Sequence, residues 1–241
     1  MDLFIIRHGQ SGNNALSDIR TREVDPPLTD LGQQQARVLA EHLANGATHD
    51  IDIDSARGTS KARLRMGFGI TSLFCSPMYR SLQTVQPVGK ALGLAPRVWT
   101  DLHEEGGMYL NHGGDEGVVG YPGRTRTEIL DEFPDFELPD GITEHGWWNK
   151  DHEDPPSCAG RAIKVSQQLL NMAESNDRVA LVTHGLFMGA LLKALLNQLP
   201  GENIYYRHHN TGITRFSIRT GGRVELRYMN RVNHLDPNLV S

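Results

Sequence analysis

The sequence predicts an α/β protein, a three-layer αβα sandwich in which a mostly parallel sheet has helices on both faces and an inserted cap segment. Short apolar runs alternate along the chain with long amphipathic segments, an order typical of parallel sheets covered by helices. Polar clusters directly follow several of the apolar runs. At 241 residues, with 38% hydrophobic and 22% charged residues, the chain is long enough to bury a large core, and we predict a single domain over residues 1–241.

The first predicted strand covers residues 3–6, where four apolar residues stand directly before the polar sequence RHGQS. A helix follows, with Thr29 as its N-cap, apolar residues at helical spacing and Gly46 at its end. Residues 46–68 are polar, mixed in charge and rich in small side chains. We therefore expect a surface insertion there.

The remaining elements continue this alternation on both sides of a segment of different composition. They are predicted as strands over 70–77, 95–102 and 178–185, helices over 78–93, 161–175 and 186–199, and a terminal hairpin of 212–219 with 223–230. Residues 103–155 are instead dense in Gly, Pro and acidic residues, with one clear helix over 126–133 that ends before Pro134. We expect this segment to form a cap across one edge of the sheet.

Composition excludes several classes of function. The formal charge of -5 gives no general attraction for nucleic acid. The two cysteines, Cys75 and Cys158, are far apart and lack a CxxC partner, which disfavours a disulfide scaffold or a thiolate metal site and fits a reducing compartment. No apolar run approaches the ~18 residues that a membrane helix needs, and residues 3–6 are too short for a signal peptide. We expect a cytoplasmic protein without nucleic-acid or membrane partners; the oligomeric state stays open.

Ligands of parallel sheets bind beyond the carboxyl ends of the strands. Four polar clusters follow four predicted strands, namely RHGQS, SPMYR, LHEE and THG, and we expect them to meet at one rim. They contribute two arginines, two histidines and at least one carboxylate: Arg7, His8, Arg80, His184, and Glu104 or Glu105.

This set of side chains suits phosphoryl transfer. Arginine presents a rigid fork of donors that matches phosphate oxygens, and a neutral imidazole such as His8 is a nucleophile toward phosphorus. A carboxylic acid can give the leaving alkoxide its proton, and Ser11 and Asn14 could add neutral donors. His184 and Gly185 stand at the start of a predicted helix, where anions bind. We expect no metal and no other cofactor, since the cap histidines lack metal-ligand spacing.

Five motifs in order resemble those of the histidine phosphatase superfamily, the phosphoglycerate-mutase-like proteins: RHGQS with Asn14, LTDLGQQQA, SPMYRSLQT, LHEE and THG. The resemblance spans roughly the whole chain and is loose over 46–68 and 103–155. It implies that His8 becomes phosphorylated, that Asn14 touches the substrate or phosphate, and that the phosphoryl group is bound by Arg7, Arg80 and His184. It also implies that Glu104 is the proton donor, because the family's acid lies two residues after the strand's last leucine, here Leu102. Gln10 and Arg126 complete the predicted substrate-binding residues.

The resemblance leaves two enzymatic activities open. Mutases of this family carry an ERHYG-like stretch after the acid, whereas this chain has EEGGMYLNHGG. The stretch GRTRTEILDEFPDF is similar to the cap helix of the family's phosphatases. We therefore predict a phosphatase acting on a small phosphorylated substrate. A cofactor-dependent phosphoglycerate mutase and a non-catalytic phosphate-binding module are the alternatives.

Overall fold

The computed structural model describes residues 1–54, 59–174, 177–201 and 203–241. Its strands are β1 (Asp2–Arg7), β2 (Ala47–Asp54), β3 (Thr59–Met66), β4 (Ser72–Cys75), β5 (Arg97–Val98), β6 (Tyr109–Gly113), β7 (Gly117–Gly120), β8 (Arg178–Thr183), β9 (Ile213–Ile218) and β10 (Val224–Arg231). Six of them form one sheet in the order β10-β9-β1-β8-β4-β5. Strands β1, β8, β4 and β5 run parallel, and β9 pairs antiparallel with both β1 and β10. The predicted mostly parallel sheet and the terminal hairpin are thus confirmed.

Helices cover both faces of this sheet, as predicted. They are α1 (Gly12–Ala15), α2 (Asp30–Asn45), α3 (Tyr79–Leu92), α4 (Arg126–Glu132), α5 (Pro155–Asn171) and α6 (Gly185–Leu195). Apolar residues of α2, α3 and α4 share one core, and those of α5 and α6 share the other. No helix in the described parts of the chain is both long and apolar enough to cross a membrane.

Strand β1 joins the two cores. Its side chains alternate, so that Phe4 and Ile6 belong to the core under α2 and α3, whereas Leu3 and Ile5 belong to the core under α5 and α6. All four are completely buried. A strand covered on both faces reads as a continuous apolar run, and residues 3–6 have that pattern.

Helix boundaries follow local capping. Thr29 is the N-cap of α2 and its hydroxyl accepts a hydrogen bond from the Gly32 amide, as predicted. Helix α5 begins at Pro155 rather than at Arg161, the predicted start. The Asp154 carboxylate accepts a bond from the Ser157 amide, and a proline is favoured in a first helical turn.

Two other predicted elements differ from the structure. The strand predicted over 95–102 is only Arg97–Val98, because the chain turns immediately afterwards into a 3-10 helix at Thr100–Leu102. Residues 46–68, predicted as an insertion, contain the antiparallel hairpin of β2 and β3. Residues 55–58 of that insertion lie outside the described residues. Strand β3 is largely exposed, so its alternation of polar and apolar residues is weak.

The base of this hairpin is fixed to the sheet by charge. Asp50 of β2 accepts hydrogen bonds from Arg65 Nε at 2.7 Å, Arg178 Nη1 at 3.1 Å and Arg215 Nη2 at 3.1 Å. Asp2 of β1 binds the same Arg178 and Arg215. Burial alone would raise the pKa of Asp50, but the hydrogen bonds and charges of the arginines lower it to about 2.

The predicted cap segment contains a hairpin as well as the predicted helix. Strands β6 and β7 pair antiparallel, and α4 begins with a capping box formed by Thr125 and Glu128. Ile129 and Phe133 are buried against the core under α2 and α3. The cap is therefore packed onto the main body of the protein at this helix.

We expect Asp50→Asn to lower the free energy of unfolding by about 2 kcal/mol at neutral pH, because three charged hydrogen bonds lose their acceptor charge. The folded-state pKa of Asp50 lies below its ordinary value, so its contribution is full above about pH 4 and is lost as the pH falls toward about 2. Urea unfolding of both proteins across this range measures it. Asp18→Asn, which removes an exposed pair with Arg20, is the control and should change little. Equal effects of the two substitutions would contradict this account.

Candidate active site

The polar residues predicted to form a rim come together at the carboxyl ends of β1, β4 and β8. The rings of His8 and His184 lie 5.0 Å apart. Arg80 of α3 places its Nε 3.2 Å from His8 Nε2. Glu104 interacts electrostatically with Arg80, which brings the predicted acid to the same place.

The hydrogen bonds of His8 define its tautomer. Nδ1 lies 2.6 Å from the carbonyl oxygen of Gly9, so it carries the proton and donates. Nε2 faces the N–H of Arg80 and therefore holds a lone pair. Burial lowers the pKa of His8 well below its ordinary value, and the charges of Arg80 and Arg7 lower it further. His8 is thus a neutral imidazole with an unprotonated Nε2 in a cationic surrounding.

The loop that carries His8 is held by the core. The His8 amide donates to Thr183 O at 2.9 Å, and the Gly9 amide donates to Thr84 Oγ1 at 3.0 Å. Gly9 and Gly32 let this loop approach α2 closely, since a Cβ on Gly32 would lie 2.0 Å from Gln10 O and one on Gly9 2.7 Å from Gly32 O. Glycine is required at both contacts for lack of space.

Arg80 is buried, with 7% of its surface exposed, and it is paired by a residue that sequence reasoning missed. Asp25 Oδ1 lies 3.7 Å from Arg80 Nη1, and the same carboxylate accepts the amide of Tyr79 at the start of α3. Burial raises the pKa of Asp25, whereas the charge of Arg80 lowers it. No local pattern in the sequence links Asp25 to a residue 55 positions later.

Arg7 directly precedes His8, and its charge also acts on that imidazole. Its Nη1 donates to His208 O at 2.7 Å, while its buried Nε has no partner among the described residues. Burial lowers the pKa of Arg7, and the charge of Glu104 raises it. A Cβ on Gly185 would lie 3.5 Å from Arg7 Nε, so the first residue of α6 packs on this guanidinium. The Arg7 Nε–H is thus a donor without an acceptor in the described part of the chain.

His184 is fully buried at the N-cap of α6. Its Nε2 lies 2.8 Å from Ser76 Oγ, and its Nδ1 has no partner in the described part of the chain. Burial lowers the pKa of His184 well below its ordinary value, as does the charge of Arg80. His184 is therefore a second neutral imidazole at the rim.

Glu104 lies at the amino end of α6. Its Oε1 accepts the Phe187 amide at 2.8 Å and its Oε2 accepts the Leu186 amide at 3.3 Å. Glu105 lines a neighbouring cavity of about 320 Å³ between α5, α6 and residues 200 and 204–206. Glu104 interacts electrostatically with both Arg7 and Arg80.

The predicted substrate-binding residues of the first loop mostly contact one another and the core. Asn14 Oδ1 accepts from the Ser11 amide at 3.2 Å, and Gln10 Oε1 accepts from the Thr29 hydroxyl at 2.8 Å. Asn210, which the sequence analysis did not identify, donates to His8 O at 2.9 Å and to Asn14 Oδ1 at 3.2 Å. Asn210 thereby ties the backbone of His8 to Asn14.

Arg126 is not among the residues gathered at the rim. Its Nη1 donates to the backbone carbonyls of Pro139 and Ile142 at 3.1 and 3.2 Å, within the cap. The structure thus gives it a structural role in the cap, and these contacts do not support the predicted substrate contact. Arg124 is closer to the site, since its charge acts on Asp25 and its guanidinium lies 3.7 Å above the Tyr79 ring.

No group of three or more His, Cys, Asp and Glu residues in the described ranges is arranged to hold a metal ion. Cys75 and Cys158 are both buried and unpaired. The rim instead combines two neutral imidazoles, two arginines and a carboxylate: His8, His184, Arg7, Arg80 and Glu104. Chemically, this arrangement can bind a phosphoryl group and attack it.

The sequence matches the histidine phosphatase superfamily (branch 1) over residues 3–231, and the chain belongs to this superfamily. The probable phosphoglycerate mutase GpmB of Yersinia enterocolitica is 23% identical to it over 217 residues, which cover 89% of this chain and 84% of that protein.

Solved structures share the fold across almost the whole chain. Phosphoserine phosphatase of Entamoeba histolytica in complex with 3-phosphoglyceric acid matches with a TM-score of 0.58 and 23% identity, covering 97% of this chain and 98% of that one. A mycobacterial glucosyl-3-phosphoglycerate phosphatase with VO3 matches with a TM-score of 0.57 and 22% identity, covering 96% and 99%. At this identity the two structures establish the common fold.

We expect Gly32→Ala to destabilise the protein by about 2 kcal/mol or more, because the added methyl group would overlap Gln10 O and displace the loop that carries His8. Chemical unfolding measures this cost. Gly160→Ala is the matched control, since Gly160 lies in α5 with open space around its Cα and should gain up to about 1 kcal/mol. Unchanged stability of Gly32→Ala would show that the close approach is not required.

Proposed function

We propose that this protein is a metal-independent phosphatase that hydrolyses a small phosphomonoester through a phosphohistidine on His8. The observation that carries the proposal is the state of His8, a buried neutral imidazole whose Nε2 lone pair faces Arg80 while Nδ1 is fixed by Gly9 O. When a phosphoryl oxygen binds Arg80, the guanidinium N–H passes from Nε2 to that oxygen, and the Nε2 lone pair becomes free to attack phosphorus.

In the first step His8 Nε2 attacks phosphorus and the bond between phosphorus and the ester oxygen breaks. Arg7 and Arg80 bind the phosphoryl oxygens, and the electron pair of the broken bond passes to the leaving oxygen. Glu104, acting as the protonated acid, gives that oxygen its proton, and the alcohol departs. The donors left free in the structure suit this step, since Arg7 Nε lacks a partner among the described residues.

In the second step water attacks the phosphorus of phosphohistidine. The Glu104 carboxylate takes a proton from the water, the bond between phosphorus and Nε2 breaks, and His8 returns to its neutral state. Inorganic phosphate leaves. The same carboxyl group is thus the acid in one step and the base in the next, so the cycle restores both groups.

His184 is proposed as a donor to the phosphoryl group. The Ser76 hydroxyl accepts the Met78 amide and can donate its own proton to His184 Nε2, which then leaves the proton of the neutral imidazole on Nδ1. Nδ1 is buried without a partner in the described part of the chain. In this tautomer the Nδ1–H of His184 can donate a hydrogen bond to a phosphoryl oxygen.

The cationic charge that the reaction needs comes from the chain itself. Arg7 and Arg80 carry two permanent charges beside His8, and they can neutralise a phosphoryl group without a divalent cation. The proposal that the enzyme is metal-independent rests on this donor set, and activity in EDTA tests it.

Phosphoglycerate mutase activity is the second candidate, because a relative of 23% identity is named a probable phosphoglycerate mutase. A mutase would pass the phosphoryl group from His8 to a sugar acid and would exclude water. The sequence after Glu104 lacks the ERHYG-like stretch of mutases, which favours the phosphatase. Assays for interconversion of phosphoglycerates, with and without bisphosphoglycerate, distinguish the two.

We expect the wild type to hydrolyse 4-nitrophenyl phosphate in EDTA and His8→Ala to lose about 10⁴-fold or more in rate, because the nucleophile is gone. Trapping an acid-labile, base-stable phosphoprotein in the wild type confirms the intermediate. His112→Ala, which changes an exposed cap histidine bonded to Tyr121, is the control and should keep full activity. Retained turnover in His8→Ala would reject the mechanism.

We expect kcat/KM, corrected for ionisation of the substrate, to stay constant as the pH falls through about 6.5, the ordinary pKa of imidazole. Both His8 and His184 have pKa values well below it, so they stay neutral there and are protonated only in more acidic solution. A pH–rate profile with 4-nitrophenyl phosphate measures this. An acidic limb centred near about 6.5 would contradict the neutral, buried state of these imidazoles.

A further inference from the structure

The loop that leads to Glu104 is held in place by hydrogen bonds to three of its successive backbone carbonyls, those of residues 101–103. Arg161 Nη1 of α5 donates to Asp101 O at 2.7 Å and to His103 O at 2.9 Å. Between them, Leu102 O accepts the Thr183 hydroxyl at 2.6 Å. Every carbonyl of residues 101–103 is therefore bonded, and the backbone just before Glu104 has a fixed path.

Two further contacts, with Glu153 and with Phe187, fix the Arg161 side chain. Its Nε and Nη2 form a bidentate pair with Glu153, at 2.9 and 2.5 Å, and Glu153 is 3% exposed. Its guanidinium lies 4.3 Å from the ring of Phe187, the residue whose amide binds Glu104 Oε1. The planar fork of an arginine satisfies this carboxylate and these carbonyls at the same time, which a lysine cannot do.

The cluster joins the cap to the proposed acid. Glu153 belongs to the segment predicted as the cap, and its amide donates to Gly106 O at 3.1 Å, just after the glutamate doublet. His103 Nε2 lies 3.6 Å from Glu153 Oε1, and its ring packs against Trp148 at 4.9 Å between centroids. This buried arrangement is linked to Glu104 through the backbone of residues 101–103 and through Phe187.

We propose that Arg161 and Glu153 are positioning residues for the proton transfer: together they hold residues 101–103 so that Glu104 can reach the leaving oxygen. This inference rests on the proposed function. A general acid must come within hydrogen-bond reach of that oxygen, and small displacements cost large factors in rate. Neither residue contacts the other rim side chains by a hydrogen bond or ion pair in the described structure.

A misplaced acid and a general loss of folding affect two substrates differently. Protonation matters most when the leaving oxygen is strongly basic, so a misplaced acid should slow phenyl phosphate much more than 4-nitrophenyl phosphate. The two substrates have nearly the same shape. The quantity to compare is the ratio of their kcat/KM values, which report the first chemical step.

The variants are Arg161→Lys and Glu153→Gln, with Glu104→Gln as the reference for complete loss of the acid. We expect both positioning variants to lower kcat/KM for phenyl phosphate about 10-fold or more relative to 4-nitrophenyl phosphate, in the direction of Glu104→Gln. Lys164→Ala is the matched control. The exposed Lys164 lies on the same helix and binds the half-buried Asp101 side chain at 2.9 Å, but holds no backbone carbonyl among the described residues. It should leave the ratio unchanged.

Three results would overturn the proposed roles of Arg161 and Glu153, and one of them would also reject the proposed function. Equal losses on both substrates in the two variants would show a structural role only and overturn the inference. An unchanged ratio in Glu153→Gln overturns it as well, even if Arg161→Lys fails to fold. Absence of His8-dependent turnover in the wild type would reject the proposed function, and the inference with it.

Discussion

The parallel pairing of β1 with β8 is the constraint on which the site depends. Arg7 stands opposite Thr183 in this register, and the His8 amide continues the pairing onto Thr183 O. Both strands therefore end at the same level, and His8 and His184 leave the sheet side by side. Because β1 is buried on both faces, a shift by one residue would exchange its two sets of core side chains. Burial of the core thus fixes the geometry of the rim.

At the rim the arginines carry the positive charge, and the two imidazoles are neutral. Burial disfavours a charged imidazole, and adjacent guanidiniums disfavour it further, so His8 and His184 both give up their protons in the folded protein. Arg80 remains charged in the same surroundings because Asp25 and Glu104 offset its burial. Asp25 Oδ1 lies 3.7 Å from Arg80 Nη1, and Glu104 also acts on this guanidinium, so the buried positive charge has two acidic residues near it.

Local sequence patterns predicted much of the secondary structure and the motif residues of the rim. They did not predict the polar partners that lie close together only in the folded chain. An apolar run or a short motif predicted each strand of the six-stranded sheet, the Thr29 cap, and the histidines, arginines and glutamate of the rim. The match to the family over residues 3–231 confirms the resemblance. Asp25, Asn210 and Arg161 lie far in sequence from the groups they hold. Arg126 was predicted at the substrate because it opens a helix, yet backbone carbonyls of the cap occupy its Nη1. Long-range polar partners have no periodic signature.

Thr183 supports both groups of the proposed reaction, since its carbonyl accepts the His8 amide and its hydroxyl binds Leu102 O, but their other supports come from different parts of the chain. His8 is held by Thr183, Thr84 and Asn210, all outside the cap, whereas the path to Glu104 depends on Arg161 and, through it, on Glu153. Under the proposed mechanism, substitutions in the cap would therefore affect proton transfer by Glu104 before they affect attack by His8. A cap could then change to fit a new alcohol while the groups that hold His8 stay as they are.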